Sequence, residues 1–158
     1  MMFVAIALIG ALVSAAIAVW RKPQLPGYWP VLALALLPQI ANLAGFRVAG
    51  MFFWAIVAVF VWCVLNYAVS GAPLVALGVG MNLLPMAWHG GYMPIRTDIL
   101  AEIGQVVSPG TVLLGSKDIA VLSSPLWVLS DWIIVRLPSG PIVASPGDAV
   151  VVAGIVWW

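Results

Sequence analysis

Long stretches without a charged side chain dominate the first ninety residues of this chain. Arg21, Lys22 and Arg47 are the charged residues of that region, and most positions between them are apolar. A buried helix of a soluble protein rarely continues for about 18 residues without a charge, whereas a helix that crosses a bilayer needs about 20 apolar residues. These stretches therefore predict helices that cross a membrane.

The overall composition points the same way and excludes several kinds of site. Charged residues make up 7% of the chain, whereas a soluble domain carries roughly a quarter. The net charge is +1 and the basic residues are scattered, which argues against a nucleic-acid-binding surface. One cysteine, Cys63, and one histidine cannot supply a disulfide framework or a four-ligand zinc site, and we predict no metal or other cofactor.

Four membrane-crossing helices are predicted, and a single domain covers residues 1–158. The first apolar stretch is followed, not preceded, by basic residues, which favours an uncleaved helix over a signal peptide. The predicted fold class is an all-α integral membrane domain of four transmembrane helices plus a short fifth. The helices are expected at about residues 1–20, 28–46, 49–69, 73–88 and 146–158, with an extramembrane segment at 89–145.

The extramembrane segment holds most of the charged residues and two weaker structural signals. Thr97 suits a helix start, and apolar residues at helical spacing continue to about Ser108. This amphipathic helix is expected either to lie on the membrane surface or to cover the mouth of the bundle. β-Branched stretches on either side of residues 138–141 indicate a small hairpin between Trp132 and Ala144.

The fifth helix has the clearest local signature in the chain. Ser145 can cap the helix, Pro146 suits its first position, and Asp148 can return a hydrogen bond to the Ser145 amide. From residue 146 to residue 158 such a helix is only about 20 Å long, shorter than the roughly 30 Å hydrocarbon core of a bilayer. Either its start therefore lies below the membrane surface or its end stops inside the membrane. The preference of Trp157 and Trp158 for an interface favours the first alternative.

Short motifs in the second half resemble a known family. They are His89-Gly90-Gly91-Tyr92-Met93-Pro94, Leu129-Ser130-Asp131 and Ser145-Pro146-Gly147-Asp148. In this order after four apolar stretches, they resemble an uncharacterised family of bacterial membrane proteins, domain of unknown function 5317, over nearly the whole chain. Two positions depart from the family pattern: His89 stands where Asn is usual, and Ser130 where Gly is usual.

The resemblance bears on the predicted orientation but implies no activity. Arg21 and Lys22 place the first connection inside the cell, whereas Arg47, Arg96 and Arg136 compete with them from the opposite side. Relatives tend to carry basic residues in the first and third connections. This implies an inner-membrane, multi-pass protein with its N-terminus and residues 89–145 outside the cytoplasm, although the third connection of this chain has no charge.

Polar residues within the apolar stretches are candidates for a ligand-binding site. Gln39, Asn42 and Asn82 are expected near the outer ends of their helices, where amides either hydrogen-bond between helices or line a cavity. Arg96 is a further candidate, above the mouth of such a cavity.

His89 and Asp131 are weak candidates for catalysis. Histidine is a common general acid or base, and His89 could use Asp131 or Asp148 as a partner. Alternatively, it is a hydrogen-bonded residue at the membrane interface. Asp131 lies among apolar residues and needs a partner if buried, for which Arg96 and Arg136 are the candidates. It is either a structural ion-pair residue or an active-site acid.

Two functions are predicted from these observations. The first is a non-catalytic accessory or structural component of a membrane assembly, in contact with the lipid bilayer and with a membrane-protein partner or further copies of itself. The alternative is a small transporter or lipid-handling protein with an outward-facing polar cavity. The common catalytic signatures are absent from the sequence, so an enzymatic role is less favoured but open.

Overall fold

A computed structural model describes residues 27–43, 50–113 and 117–157 of the chain. Five α-helices lie in these residues: α1 (Trp29–Leu43), α2 (Met51–Leu65), α3 (Ala72–Trp88), α4 (Thr97–Glu102) and α5 (Pro146–Trp157). Four strands accompany them: β1 (Met93–Arg96), β2 (Asp118–Val121), β3 (Ile133–Leu137) and β4 (Gly140–Ala144). A 3-10 helix covers Trp127–Leu129.

The helices α1, α2, α3 and α5 pack side by side in that order and form the helical layer. Neighbours run antiparallel: Asn66, just after α2, donates to the carbonyl of Gly27, just before α1. At the other end of the layer, Gly91, which follows α3, lies against Phe53 near the start of α2. Trp62, Cys63, Val75 and Val79 form the buried core between α2 and α3.

Close contact between α3 and α5 depends on glycines that face each other. A Cβ atom on Gly78 would lie 2.5 Å from the carbonyl oxygen of Gly147, and one on Gly154 would lie 2.7 Å from the Val75 amide. Real Cβ atoms do not approach other atoms so closely, so the two backbones meet only where side chains are missing. This contact fixes α5 against the face of α3.

The described residues between 89 and 145 form the cap, which lies at one end of the helical layer. Strands β1 and β2 pair in parallel with Met93 opposite Asp118, and β3 and β4 form an antiparallel hairpin with Ile133 opposite Ala144. The helix α4 packs against the first sheet, where Leu100 and Ala120 are buried. The chain enters the cap through Gly90 and Gly91, whose φ angles are both positive, a conformation that glycine adopts without strain.

The predicted all-α integral membrane fold with four transmembrane helices is wrong. Among the described residues, no helix is both long enough and apolar enough to cross a membrane, and two small sheets accompany the helices. Helix α2 corresponds to the helix predicted at 49–69, but it ends at Leu65. It ends there because the side-chain amide of Asn66 donates back to the Trp62 carbonyl. The first predicted helix, at 1–20, lies outside the described residues.

Several local predictions are confirmed. The hairpin is present, with β3 and β4 on either side of a two-residue turn at Pro138 and Ser139. A helix begins at Thr97, although it ends at Glu102, well before Ser108. The last helix begins at Pro146 as its capping signature indicates.

We expect Gly78→Ala to lower the free energy of unfolding by about 1–3 kcal/mol, the usual range for adding a methyl group to a packed interior. The added Cβ would force α3 and α5 apart. Gly80→Ala is the matched control, because a Cβ there meets only the Phe60 ring at 3.4 Å and alanine favours a helix over glycine. Thermal unfolding of the purified variants measures both effects, and equal midpoints would contradict the close packing.

Candidate functional site

A hydrogen-bonded network joins α3 to the start of α5. The Ser145 amide donates to Asp148 Oδ2 at 2.9 Å, and the Asp148 amide donates to Ser145 Oγ at 3.0 Å. This is the reciprocal capping box that the sequence predicts. Asn82 of α3 completes the network: its Nδ2 donates to Asp148 Oδ1, and its Oδ1 accepts from Ser145 Oγ, both at 2.7 Å. Asn82, Ser145 and Asp148 are called the α3–α5 junction below.

A second polar cluster lies in the cap and consists of Lys117, Asp118 and Asp131. Lys117 Nζ donates to Asp131 Oδ2 at 2.8 Å and to Asp118 Oδ1 at 2.9 Å. The backbone brings these residues together, because β1 lies between β2 and Asp131: Met93 pairs with Asp118, and Ile95 forms a bridge with Asp131. One ammonium group is therefore shared by two carboxylates.

Asp131 is the most buried charged residue of this cluster. Its side chain is 1% exposed, whereas that of Lys117 is 12% exposed. Asp131 Oδ1 accepts no hydrogen bond from any described residue. A buried polar atom without a partner costs about 1–3 kcal/mol, and more when the group is charged. The negative charge of Asp131 is thus only partly compensated.

The electrostatic consequences differ between the two partners of this ion pair. Burial raises the pKa of Asp131 to about 7; the charge and hydrogen bond of Lys117 oppose this rise, while Asp118 and Asp148 add to it. Burial by itself would lower the pKa of Lys117, but Asp131 and Asp118 hold it above its ordinary value. Both pKa values are therefore raised: burial dominates for Asp131, whereas two neighbouring carboxylates outweigh burial for Lys117.

The residues predicted to form a ligand-binding or catalytic site each have a different hydrogen-bond or ion-pair partner. Asn82 is part of the α3–α5 junction, and exposed Arg96 pairs with Asp98 of the first turn of α4. His89 caps the end of α3, with its Nδ1 atom 2.9 Å from the Pro85 carbonyl oxygen. The structure does not describe the side chains of Gln39 and Asn42. A role of these residues in ligand binding or catalysis stays a prediction.

The predicted ion-pair partner of Asp131 is wrong. Arg136 lies 3.6 Å from Glu102 on the surface and Arg96 is paired with Asp98, so neither arginine reaches Asp131. Lys117 takes this role because the parallel pairing of β1 with β2 delivers it to Asp131. Lys117 was not predicted from the sequence as the partner of Asp131. The one signal available was that a buried aspartate among apolar residues requires a cationic partner.

No group of three or more metal-ligating side chains is arranged to hold a metal ion in the part of the chain that the structure describes. The cluster instead places two carboxylates around one ammonium group, with Asp131 the more buried of the two.

The family model described as "Family of unknown function (DUF5317)" matches residues 25–158. The chain belongs to this family. The DUF5317 match covers every described helix and strand, including both polar clusters, and confirms the resemblance carried by the motifs at 89–94, 129–131 and 145–148. No curated protein and no solved structure matches the chain significantly. Membership in DUF5317 assigns no activity.

Above pH 7, where Asp131 is ionised in the folded chain, we expect Lys117→Met to lower the free energy of unfolding by about 3–5 kcal/mol, the cost of removing one partner from a buried ion pair. The substitution keeps an unbranched chain of similar size but leaves Asp118 and Asp131 without the ammonium group. Arg136→Met removes an exposed cation and should change stability by less than about 1 kcal/mol. If chemical unfolding shows equal losses for both variants, the buried cluster is not a structural element.

Proposed function

We propose that this protein is a non-catalytic component of a membrane assembly, and that it contacts lipid or a membrane-protein partner through the outer surface of its helical layer. The observation that carries the proposal is the apolar character of that surface. Large apolar side chains on all four helices are exposed, among them Leu34, Leu37, Ile40, Val61, Val64, Leu77, Leu84 and Val152. Contiguous exposed apolar area of this kind marks contact with lipid or with another protein.

Exposed aromatic residues at the cap end of the layer support contact with lipid. Trp54 lies near the start of α2 and Trp88 at the end of α3, and both are exposed. Trp127 and Trp132 are also exposed and meet edge to face, and the 3-10 helix that contains Trp127 packs against α3 and α5. Tryptophan and tyrosine concentrate where a membrane meets water.

A second group of exposed aromatic residues lies at the opposite end of the layer. Tyr28 precedes α1, Tyr67 follows α2 and Trp157 ends α5, and all three are exposed. The antiparallel order of the helices brings these positions to one end. Exposed aromatic residues thus flank the exposed aliphatic residues at both ends of the layer, and such residues are typical of surfaces that contact a membrane interface or a protein partner.

The polar groups of the chain favour a structural role over a catalytic one. The side-chain amide of Asn82 is engaged by Ser145 and Asp148, and that of Asn66 bonds to the carbonyls of Trp62 and Gly27. Such bonds hold elements together and leave these amides little capacity for a ligand. We propose the cell membrane as the location, with the cap on the extracytoplasmic side, and a membrane-protein partner or further copies of the chain as the contact.

Leu77→Lys should sharply reduce the amount of protein recovered from washed membranes. Leu77 lies in the middle of α3 and is 58% exposed, and a charged lysine on a surface that contacts hydrocarbon is costly. Val106→Lys is the control, because Val106 is 92% exposed in a cap loop that we place outside the hydrocarbon. Equal membrane recovery of the two variants, or wild-type protein released by an alkaline wash, would contradict the proposal.

The same membranes test the structural role. After solubilisation in a mild detergent, the wild-type chain should be recovered with a stoichiometric membrane-protein partner or as a homo-oligomer, measured by mass spectrometry and native mass. Recovery as a single copy with a bound small molecule would contradict this role and favour the ligand-handling alternative.

A further inference from the structure

The unpartnered oxygen of Asp131 is the one feature of the cap that hydrogen bonding leaves unexplained. Oδ2 of this carboxylate is bonded to Lys117, whereas Oδ1 is buried and no described residue donates to it. Burial of a polar atom without a partner is rare in folded proteins and points to a function or to a missing ligand. The ligand has to be small, because Oδ1 has essentially no exposed surface.

The charges around Asp131 favour a positively charged ligand. The groups that face it are Asp118 from β2, Lys117 immediately before β2, and Asp148 from α5. Lys117 divides its charge between two carboxylates, and Asp148 adds a further negative charge. The ionisable residue of β1, Arg96, is paired with Asp98 instead, and the 3-10 helix that precedes Asp131 contains no ionisable residue.

We propose that Asp131 is a proton-binding site and that the cap packs most tightly when the proton is bound. A proton taken up from water forms an O–H bond on the carboxylate and removes the negative charge that Lys117 only partly balances. Deprotonation returns the proton to water and restores two buried carboxylates beside one ammonium group. The inference goes beyond the proposed function, since it concerns the cap and does not depend on membrane attachment.

The position of Asp131 lets its protonation state affect the whole cap. Its amide donates to the Pro94 carbonyl at 3.4 Å and its backbone forms a bridge with Ile95 of β1. The next residue, Trp132, donates to the Ala144 carbonyl, immediately before Ser145 of the α3–α5 junction. Repulsion among the carboxylates at higher pH therefore acts where both sheets and the start of α5 meet.

The pH dependence has a definite sign. Below the ordinary carboxyl pKa of 3.8, Asp131 is protonated in both the folded and unfolded states. Between 3.8 and about 7 the folded chain keeps the proton while the unfolded chain releases it, so the folded state loses stability as pH rises through this range. The stability that Asp131 contributes is fully present at the acidic end and is gone above pH 7.

Carbon-13 NMR of the full chain labelled at its aspartate carboxyl groups tests the proposal directly, because the sequence has only four aspartates. We expect one carboxyl signal to titrate with a midpoint near pH 7 and to be missing from Asp131→Asn. Asp98→Asn, which removes an exposed carboxylate, should leave that signal in place. Should Asp131→Asn not fold, the wild-type titration still decides: four midpoints below about pH 5 overturn the proposal.

Two further measurements separate a proton from other ligands and test the coupling to the cap. The midpoint should not change when sodium or potassium is replaced by choline at constant ionic strength; a change of one pH unit or more would mean that a metal cation binds instead. The thermal midpoint of the wild type, measured relative to that of Asp131→Asn, should fall as the pH is raised from 4 to 7. A constant difference across this range would overturn the coupling.

Discussion

The hydrogen bonds between Asn82 and the capping box of α5 determine how the rest of the structure is arranged. Asn82 bonds to Ser145 and Asp148 at 2.7 Å each, at the point where α5 meets α3 and the cap ends. Gly78 and Gly147 allow the two backbones to approach closely enough for these bonds to form. One buried amide therefore fixes the register of α5 on α3 and, through Ala144, the position of the last strand.

Buried charged side chains hold elements of the cap together, as buried side-chain amides do in the helical layer. Strand β2, a loop and a 3-10 helix separate Lys117 from Asp131 in sequence. The pairing of β1 with β2 on one side and with the backbone of Asp131 on the other brings the two residues into contact. Their ion pair is buried where a single unpaired charge would be costly. The first cluster thus joins α3 to α5, and the second joins β2 to the segment at Asp131 within the cap. The unpartnered oxygen of Asp131 is the exception, and the proposed response to pH rests on it.

Structural features formed by residues close together in sequence were predictable, whereas contacts between distant residues were not. The capping box at Ser145 and Asp148 and the hairpin at β3 and β4 depend on residues a few positions apart, so their patterns are visible. Strand β1, Met-Pro-Ile-Arg, is short and contains a proline, and its parallel partner lies more than twenty residues away. Hydropathy gave helix positions close to α2 and α3 but extended α2 past Asn66, and it did not reveal Lys117 as the partner of Asp131.

The central claim is that Asn82 and the capping box act as one unit, and a double-mutant cycle tests it most directly. Free energies of unfolding are measured for wild type, Asn82→Ala, Ser145→Ala and the double variant. Each single alanine variant breaks the hydrogen bond from Ser145 Oγ to Asn82 Oδ1 and leaves the remaining partner unsatisfied, whereas the double variant removes both partners. The double variant should therefore lose less stability than the sum of the single losses, by about 1 kcal/mol or more. Losses that add within about 0.3 kcal/mol would show that the two residues act independently and would contradict the account.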